Sequence, residues 1–182
     1  MPPIPYQSLT PSQKAVADEL TAGRRGGVVG PFIPLIRSPE LLNRAQRLGE
    51  YLRYDSTLAP QISELVILMT ARRWTQQFEW HAHYGIALRS GIESVVLEAI
   101  AEGRRPTSMS GDQATAYDVV DELFKIGTLT DQTYSAAVAT FSDAGLLEII
   151  GLVGYYGFLA MVMNVARTPL PDGVDPPLPS LP

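Results

Sequence analysis

The chain has 182 residues, 46% of them hydrophobic and 18% charged, and a formal net charge of −5. That acidic balance, with Lys14 and Lys125 the only lysines, excludes the clustered basic surface that a nucleic-acid partner requires. No cysteine is present, which removes disulfides, thiolate metal sites and thiol redox chemistry from consideration.

The first residues, MPPIPYQSLTPSQ, lack a basic segment followed by an apolar run, so no signal peptide is expected and the cytoplasm is the expected location. Residues 1–9 read as a proline-rich extended arm. Thr10-Pro11-Ser12-Gln13 matches a capping box with proline at the first helical position, which predicts a helix to about Ala22. The next stretch, RRGGVVGPFIPLIRS, is glycine- and proline-rich yet carries Val28, Val29, Phe32, Ile33, Leu35 and Ile36. Loops this apolar are seldom left in water. Pro31 and Pro34 weaken a strand, so irregular backbone laid along a pocket is expected.

Ser38-Pro39-Glu40 starts a second helix, with Ser38 at its N-cap, reaching about Tyr54. Pro60 opens a third to about Trp74. A fourth runs from Gln76 to about Arg89, where Gly91 is the stop signal. Glu93–Glu102 is a shorter helix, and residues 103–111 form a polar connection. Helices are expected next at about Asp112–Ile126, Asp131–Ser142 and Ala144–Arg167. No strand pair is legible, so the class is all-α, about eight helices in one domain over 1–167. Residues 168–182 form a proline-rich tail that cannot be helical.

Residues Ile149–Ala166 carry no charge and approach the length of a membrane span, but no basic flank orients them. A buried helix at a core or subunit interface is expected instead, with no membrane partner. Within it, Gly151, Gly154 and Gly157 suit close helix packing. A weak internal similarity also shows: Leu147-Glu148-Ile149 and its apolar helix resemble Glu64-Leu65-Val66 and its own apolar helix, without the histidine and second glutamate.

The chemistry concentrates in Glu64–Gly91, ELVILMTARRWTQQFEWHAHYGIALRSG, which holds both histidines and both tryptophans. Gln76, Glu79 and His83 are spaced i, i+3 and i+7, projecting within about 60° of one another on a helix. Trp80 flanks that face and His81 points away from it. Glu64 on a surface, or Glu79 with His83 as an exposed i,i+4 pair, would be ordinary. The apolar and aromatic bracket of Phe78, Trp80, Tyr84 and Ile86 points instead to an enclosed site. There, two carboxyls could not comfortably both ionise, and an imidazole would complete a proton relay. Metal binding fits less well: His81 and His83 do not share a face, and Glu79 with His83 is too few ligands unless Glu64 joins. No phosphate loop, nucleotide fingerprint or nucleophile elbow is present. Tyr155 or Tyr156 is a candidate to reach the pocket.

These residues resemble the carboxymuconolactone decarboxylase family, which includes the alkyl hydroperoxidase D (AhpD) type. The resemblance runs from Gly30-Pro31-Phe32 to Gly154-Tyr155-Tyr156 and centres on Glu64 and Gln76-x-x-Glu79-x-x-x-His83. In the peroxidase branch, cysteines stand where this chain has Gln76 and Glu79, and a further histidine where it has Phe78. A family label of peroxidase or peroxiredoxin type would therefore lack chemical support here. The resemblance implies the cysteine-free branch: an all-α AhpD-like bundle assembled as a homotrimer or homohexamer, acting as a lyase without cofactor or metal on a small carboxylated lactone from aromatic-compound degradation. The glycine-spaced helix and the apolar loop are the expected contact surfaces. Glu64, Glu79 and His83 are the expected catalytic residues. Gln76, Trp80, Phe32, Tyr155 and Arg72 are expected at the substrate, with Arg37 and Arg73 as further partners for its carboxylate. A catalytically silent oligomer that binds a small apolar ligand, and a proton-transfer isomerase or hydratase, are the alternatives.

Overall fold

A computed structural model describes residues 1–179, all of which are helical, turn or irregular. After a 3₁₀ turn at Tyr6–Ser8 come α1 (Pro11–Ala22), α2 (Phe32–Leu35), α3 (Pro39–Tyr54), α4 (Pro60–Arg73), α5 (Gln77–Arg89), α6 (Ser94–Ala101), α7 (Gly111–Ile126) and α8 (Asp131–Ala166). The expected total of about eight helices is met differently at two points. The apolar loop holds one short turn of helix, α2. The last two expected helices meet end to end at a kink at Ser142, the expected point of division, where a φ of 65° lies in the left-handed region; they are numbered together as α8.

Local signals account for most boundaries. Thr10 accepts the Gln13 amide hydrogen, and the Gln13 side chain accepts from the Thr10 amide, so the capping box is complete. Ser110 and Gln113 form a second one at α7. Ser38 occupies the N-cap of α3 but makes no side-chain cap; its φ and ψ of −126° and 78° fall outside the extended geometry that aims a cap.

α4 is the axis of the molecule. Every residue from Ile62 to Arg72 is buried, and Leu65, Val66, Ile67 and Leu68 are fully enclosed. A helix apolar on all sides must be surrounded, and α5, α7 and α8 pack around it. α8 is long and apolar enough to cross a membrane, with a mean hydropathy of 1.9 over its most apolar window. It is a core helix here: 56% of that window is buried, and it packs on α2, α3, α4 and α7. Gly151 of this helix lies against Leu52 and Gly157 against Trp74, so those two glycines serve close packing within the chain.

Both ends fold back onto the bundle. The Met1 ammonium donates to the Ala166 carbonyl, and Arg37 donates to the Pro2 carbonyl at 2.7 Å. The tail is non-helical to residue 179, as expected, yet it is tied down. Leu178 is buried, and the Gln77 amide both accepts from its N–H and donates to its carbonyl, each at 2.9 Å. The last three residues of the expected tail, 180–182, lie outside the described residues.

Candidate active site

The turn from α4 to α5 builds the site. Thr75 adopts a φ of 46°, and the Gln76 amide donates to the Ala71 carbonyl at 2.8 Å, which reverses the chain tightly. Gln76 then caps α5, its Oε1 accepting from the Glu79 amide at 3.1 Å. In a capping box the glutamate three residues on would accept in turn from the cap's own N–H. That N–H is already spent on Ala71. The Glu79 carboxyl is therefore left free of the helix end.

It is also left free of everything else. Glu79 is 3% exposed, and neither carboxyl oxygen has a hydrogen-bond partner among the described residues. Burial pushes its pKa well above the ordinary glutamate value, which favours the protonated form. One turn further along α5, His83 is buried too. Its Nδ1 is hydrogen-bonded to Oε2 of Glu64 on α4 at 2.7 Å, which leaves Nε2 for the cavity. The Tyr156 ring stands edge-on to the imidazole, with centroids 5.2 Å apart, and fixes its plane from the α8 side. Burial pushes the Tyr156 phenol far upward, so it stays protonated.

Glu79, His83 and Tyr156 line one cavity of about 170 Å³. The apolar stretch supplies Val29, Gly30, Pro31 and Phe32, so it does lie along a pocket. Gly30 has a φ of +54°, and a Cβ there would come within 2.7 Å of the Phe78 ring, another lining group. Leu159 and Met163 of α8 close the base, while Arg25 and Arg53 complete the wall.

The expected residues divide accordingly. Glu64, Glu79 and His83 converge, and Phe32 lines the same cavity. Gln76 is turned to structural work: besides capping, its Nε2 donates to Asn164 Oδ1 at 3.0 Å, and Asn164 donates to the Trp74 carbonyl, joining α5 to α8. Tyr155 sits behind Tyr156, ring centroids 5.3 Å apart, and is not in the lining. Trp80 faces another cavity, shared with His81, Tyr84 and Pro177 of the tail. Arg72 corrects the expectation most clearly. It is buried at the far end of α4, beside a cavity lined by Arg104, Tyr117 and Lys125, with no acceptor for any guanidinium nitrogen among the described residues. Arg73 lies beside that cavity as well, and Arg37 beside a shallow one near Met1. The arginines at the site are Arg25 and Arg53, which sequence reading missed. Among the described residues, no cluster of three or more His, Asp or Glu side chains is arranged to hold a metal ion.

No protein-family model matches the sequence, and no curated protein does. Solved structures do resemble the fold. An uncharacterised peroxidase-related protein from Ralstonia eutropha JMP134, described as an alkylhydroperoxidase AhpD core, superposes with a TM-score of 0.75 at 15% identity, over 94% of this chain and 92% of that one. A protein of unknown function from Agrobacterium tumefaciens, provisionally described as an AhpD antioxidant defence protein, gives 0.66 at 18% identity, over 78% of this chain and 96% of that one. The chain thus has the AhpD-like all-helical fold that its residues led one to expect.

Proposed function

We propose that this protein is a cofactor-independent, proton-transferring lyase that decarboxylates a small carboxylated lactone. The observation that carries the reading is the buried Glu79 carboxyl, without a hydrogen-bond partner among the described residues, on a cavity it shares with His83 of the Glu64–His83 pair. Stability alone would not select an orphaned buried carboxyl; such groups cluster where chemistry uses them.

The chemistry follows from the parts. When a γ-carboxylated butenolide loses carbon dioxide, the bond to the carboxyl carbon breaks and its electron pair spreads through the ring onto the lactone carbonyl oxygen. Glu79, already carrying its proton, delivers it to the ring carbon and is left as a carboxylate, which solvent reprotonates. His83 in its imidazolium form, oriented through Nδ1 by Glu64, donates its Nε2–H to the charge that develops on the lactone carbonyl oxygen. No electron leaves the system, so no redox partner is called for. The neighbours' peroxidase descriptions belong to those proteins; a chain without cysteine has no thiolate to attack a peroxide. The enzyme works as a trimer or hexamer. The exposed apolar stripe of α8, Leu147, Ile150, Met161 and Val165, is a suitable contact surface, and light scattering tests it.

Turnover on a panel of carboxylated lactones, followed by carbon dioxide release, tests the reaction. Glu79→Gln is expected to lower kcat about 10²- to 10⁴-fold, the ordinary worth of a positioned acid, and His83→Gln comparably. Ligand binding with no turnover of any substrate would instead establish a silent binding protein. Turnover without carbon dioxide release would point to an isomerase or hydratase.

A further inference from the structure

Two permanent cations and no permanent anion face the cavity. Arg25 comes from the loop after α1 and Arg53 from the last turn of α3, and both line the space that holds Glu79 and His83. Arginines with ion-pair partners, such as Arg24 with Asp55 and Arg105 with Asp118, point elsewhere. Arg25 makes only long contacts, from Nη2 to the Gln46 carbonyl at 3.4 Å and to the Tyr155 hydroxyl at 3.5 Å, and its buried Nε has no acceptor among the described residues. Its guanidinium lies over the Phe32 ring at 4.8 Å. Arg53 lies over the Tyr54 ring, at 5.4 Å, and pairs with no carboxylate among the described residues.

The backbone makes room for this arrangement. Gly49, inside α3, lies where a Cβ would come within 2.1 Å of the Tyr155 hydroxyl and 2.6 Å of Arg25 Nη2. A helix interior ordinarily favours alanine over glycine. The missing methyl is what lets Tyr155 support Arg25 from below.

We propose that Arg25 and Arg53 are the anion-binding end of the cavity, and that the site selects a small ring-sized carboxylate over its neutral isostere, with Gly49 and Tyr155 positioning Arg25. Guanidinium donors match a carboxylate in plane and in charge, and the cavity's apolar walls leave space for one ring. This deepens the lyase reading, since it supplies the grip on the substrate's carboxyl group, but it is tested without turnover.

The test is calorimetric titration of the full chain with benzoate and with benzamide, which differ little except in charge. The wild type is expected to bind benzoate at least about tenfold more tightly. Arg25→Met and Arg53→Met should each erase most of that preference. Arg25→Lys should keep part of it, which guards against loss by misfolding. Gly49→Ala should weaken benzoate more than benzamide. Glu79→Gln, which slows turnover on the lyase reading, should leave the preference in place. Equal binding of the two ligands, binding of neither at millimolar concentration, or a preference that survives in the Arg25→Met/Arg53→Met double variant would overturn the assignment while leaving the proton-transfer chemistry open.

Discussion

Glu79 and Glu148 are both glutamates buried in the same helical bundle, at 3% and 6% exposure, yet they are opposites. Glu148 accepts from the Tyr51 hydroxyl at 2.5 Å, the Thr57 hydroxyl at 2.7 Å and the Thr57 amide at 2.9 Å. Burial pushes its pKa up, but those donors outweigh burial and hold it below the ordinary range. Glu79 has burial and no donor, so its pKa moves the other way. Depth in the core therefore does not by itself set the direction of a carboxyl's pKa; the hydrogen-bond donors it meets there do. Glu148 is also the counterpart of Glu64 in the weak internal similarity. In the first half the glutamate orients an imidazole, whereas in the second it pins α8 to α3 and the loop after it.

The contrast gives opposite dependences on pH, and that is the sharpest way to break it. Glu79 is raised in the folded state, so its contribution to stability is complete below the ordinary value of 4.5 and is lost as pH rises toward the folded pKa. Glu79→Gln removes that loss. Its advantage over the wild type should grow with pH above 4.5, by at most about 1.4 kcal/mol per unit, and then level off. Urea unfolding at several pH values measures this, and parallel curves for the two proteins would contradict a protonated Glu79.

Glu148 is depressed, so its contribution is present above 4.5 and is lost as pH falls through the folded pKa. Glu148→Gln should cost about 1–3 kcal/mol at neutral pH, where the charged acceptor is exchanged for a weaker one, and less in acid. Turnover per folded molecule should be unchanged, because Glu148 lies outside the cavity lining. A variant with normal stability but impaired catalysis would erase the distinction between the two residues.

The smallest effect concerns the cation that resembles Glu79 in lacking a partner. Burial lowers the Arg72 pKa, and no nitrogen of its guanidinium finds an acceptor among the described residues. Arg72→Met keeps most of the stem's packing and removes the charge, so a gain of about 1 kcal/mol is expected. Equilibrium unfolding measures it. A loss of similar size would show that the guanidinium has an anionic partner in solution.

Local sequence determined a great deal here. Capping boxes set the starts of α1 and α7, prolines those of α3 and α4, and unbroken apolarity made α4 and the second half of α8 core helices. Helical spacing put Glu79 and His83 on one face, because angular position about an axis depends only on residue number. Glu79 and His83 were legible for that reason, while Glu64, on α4, was legible from its place in an apolar stretch and from the family resemblance.

What periodicity cannot supply is the identity of the facing element. Arg72 is close in sequence to the site, yet α4 carries it to the opposite end of its own axis from the turns that bear Glu64. Gln76 lay at a suitable angle, but the tight turn at Thr75 made it a cap and Asn164 claimed its amide. Tyr156 rather than Tyr155 entered the cavity, and Arg25 and Arg53 arrived from segments remote in sequence. Chain-local rules decide which residues share a helix face; only the packing of α3, α5 and α8 about α4, stabilised by burial of apolar surface, decided which faces meet.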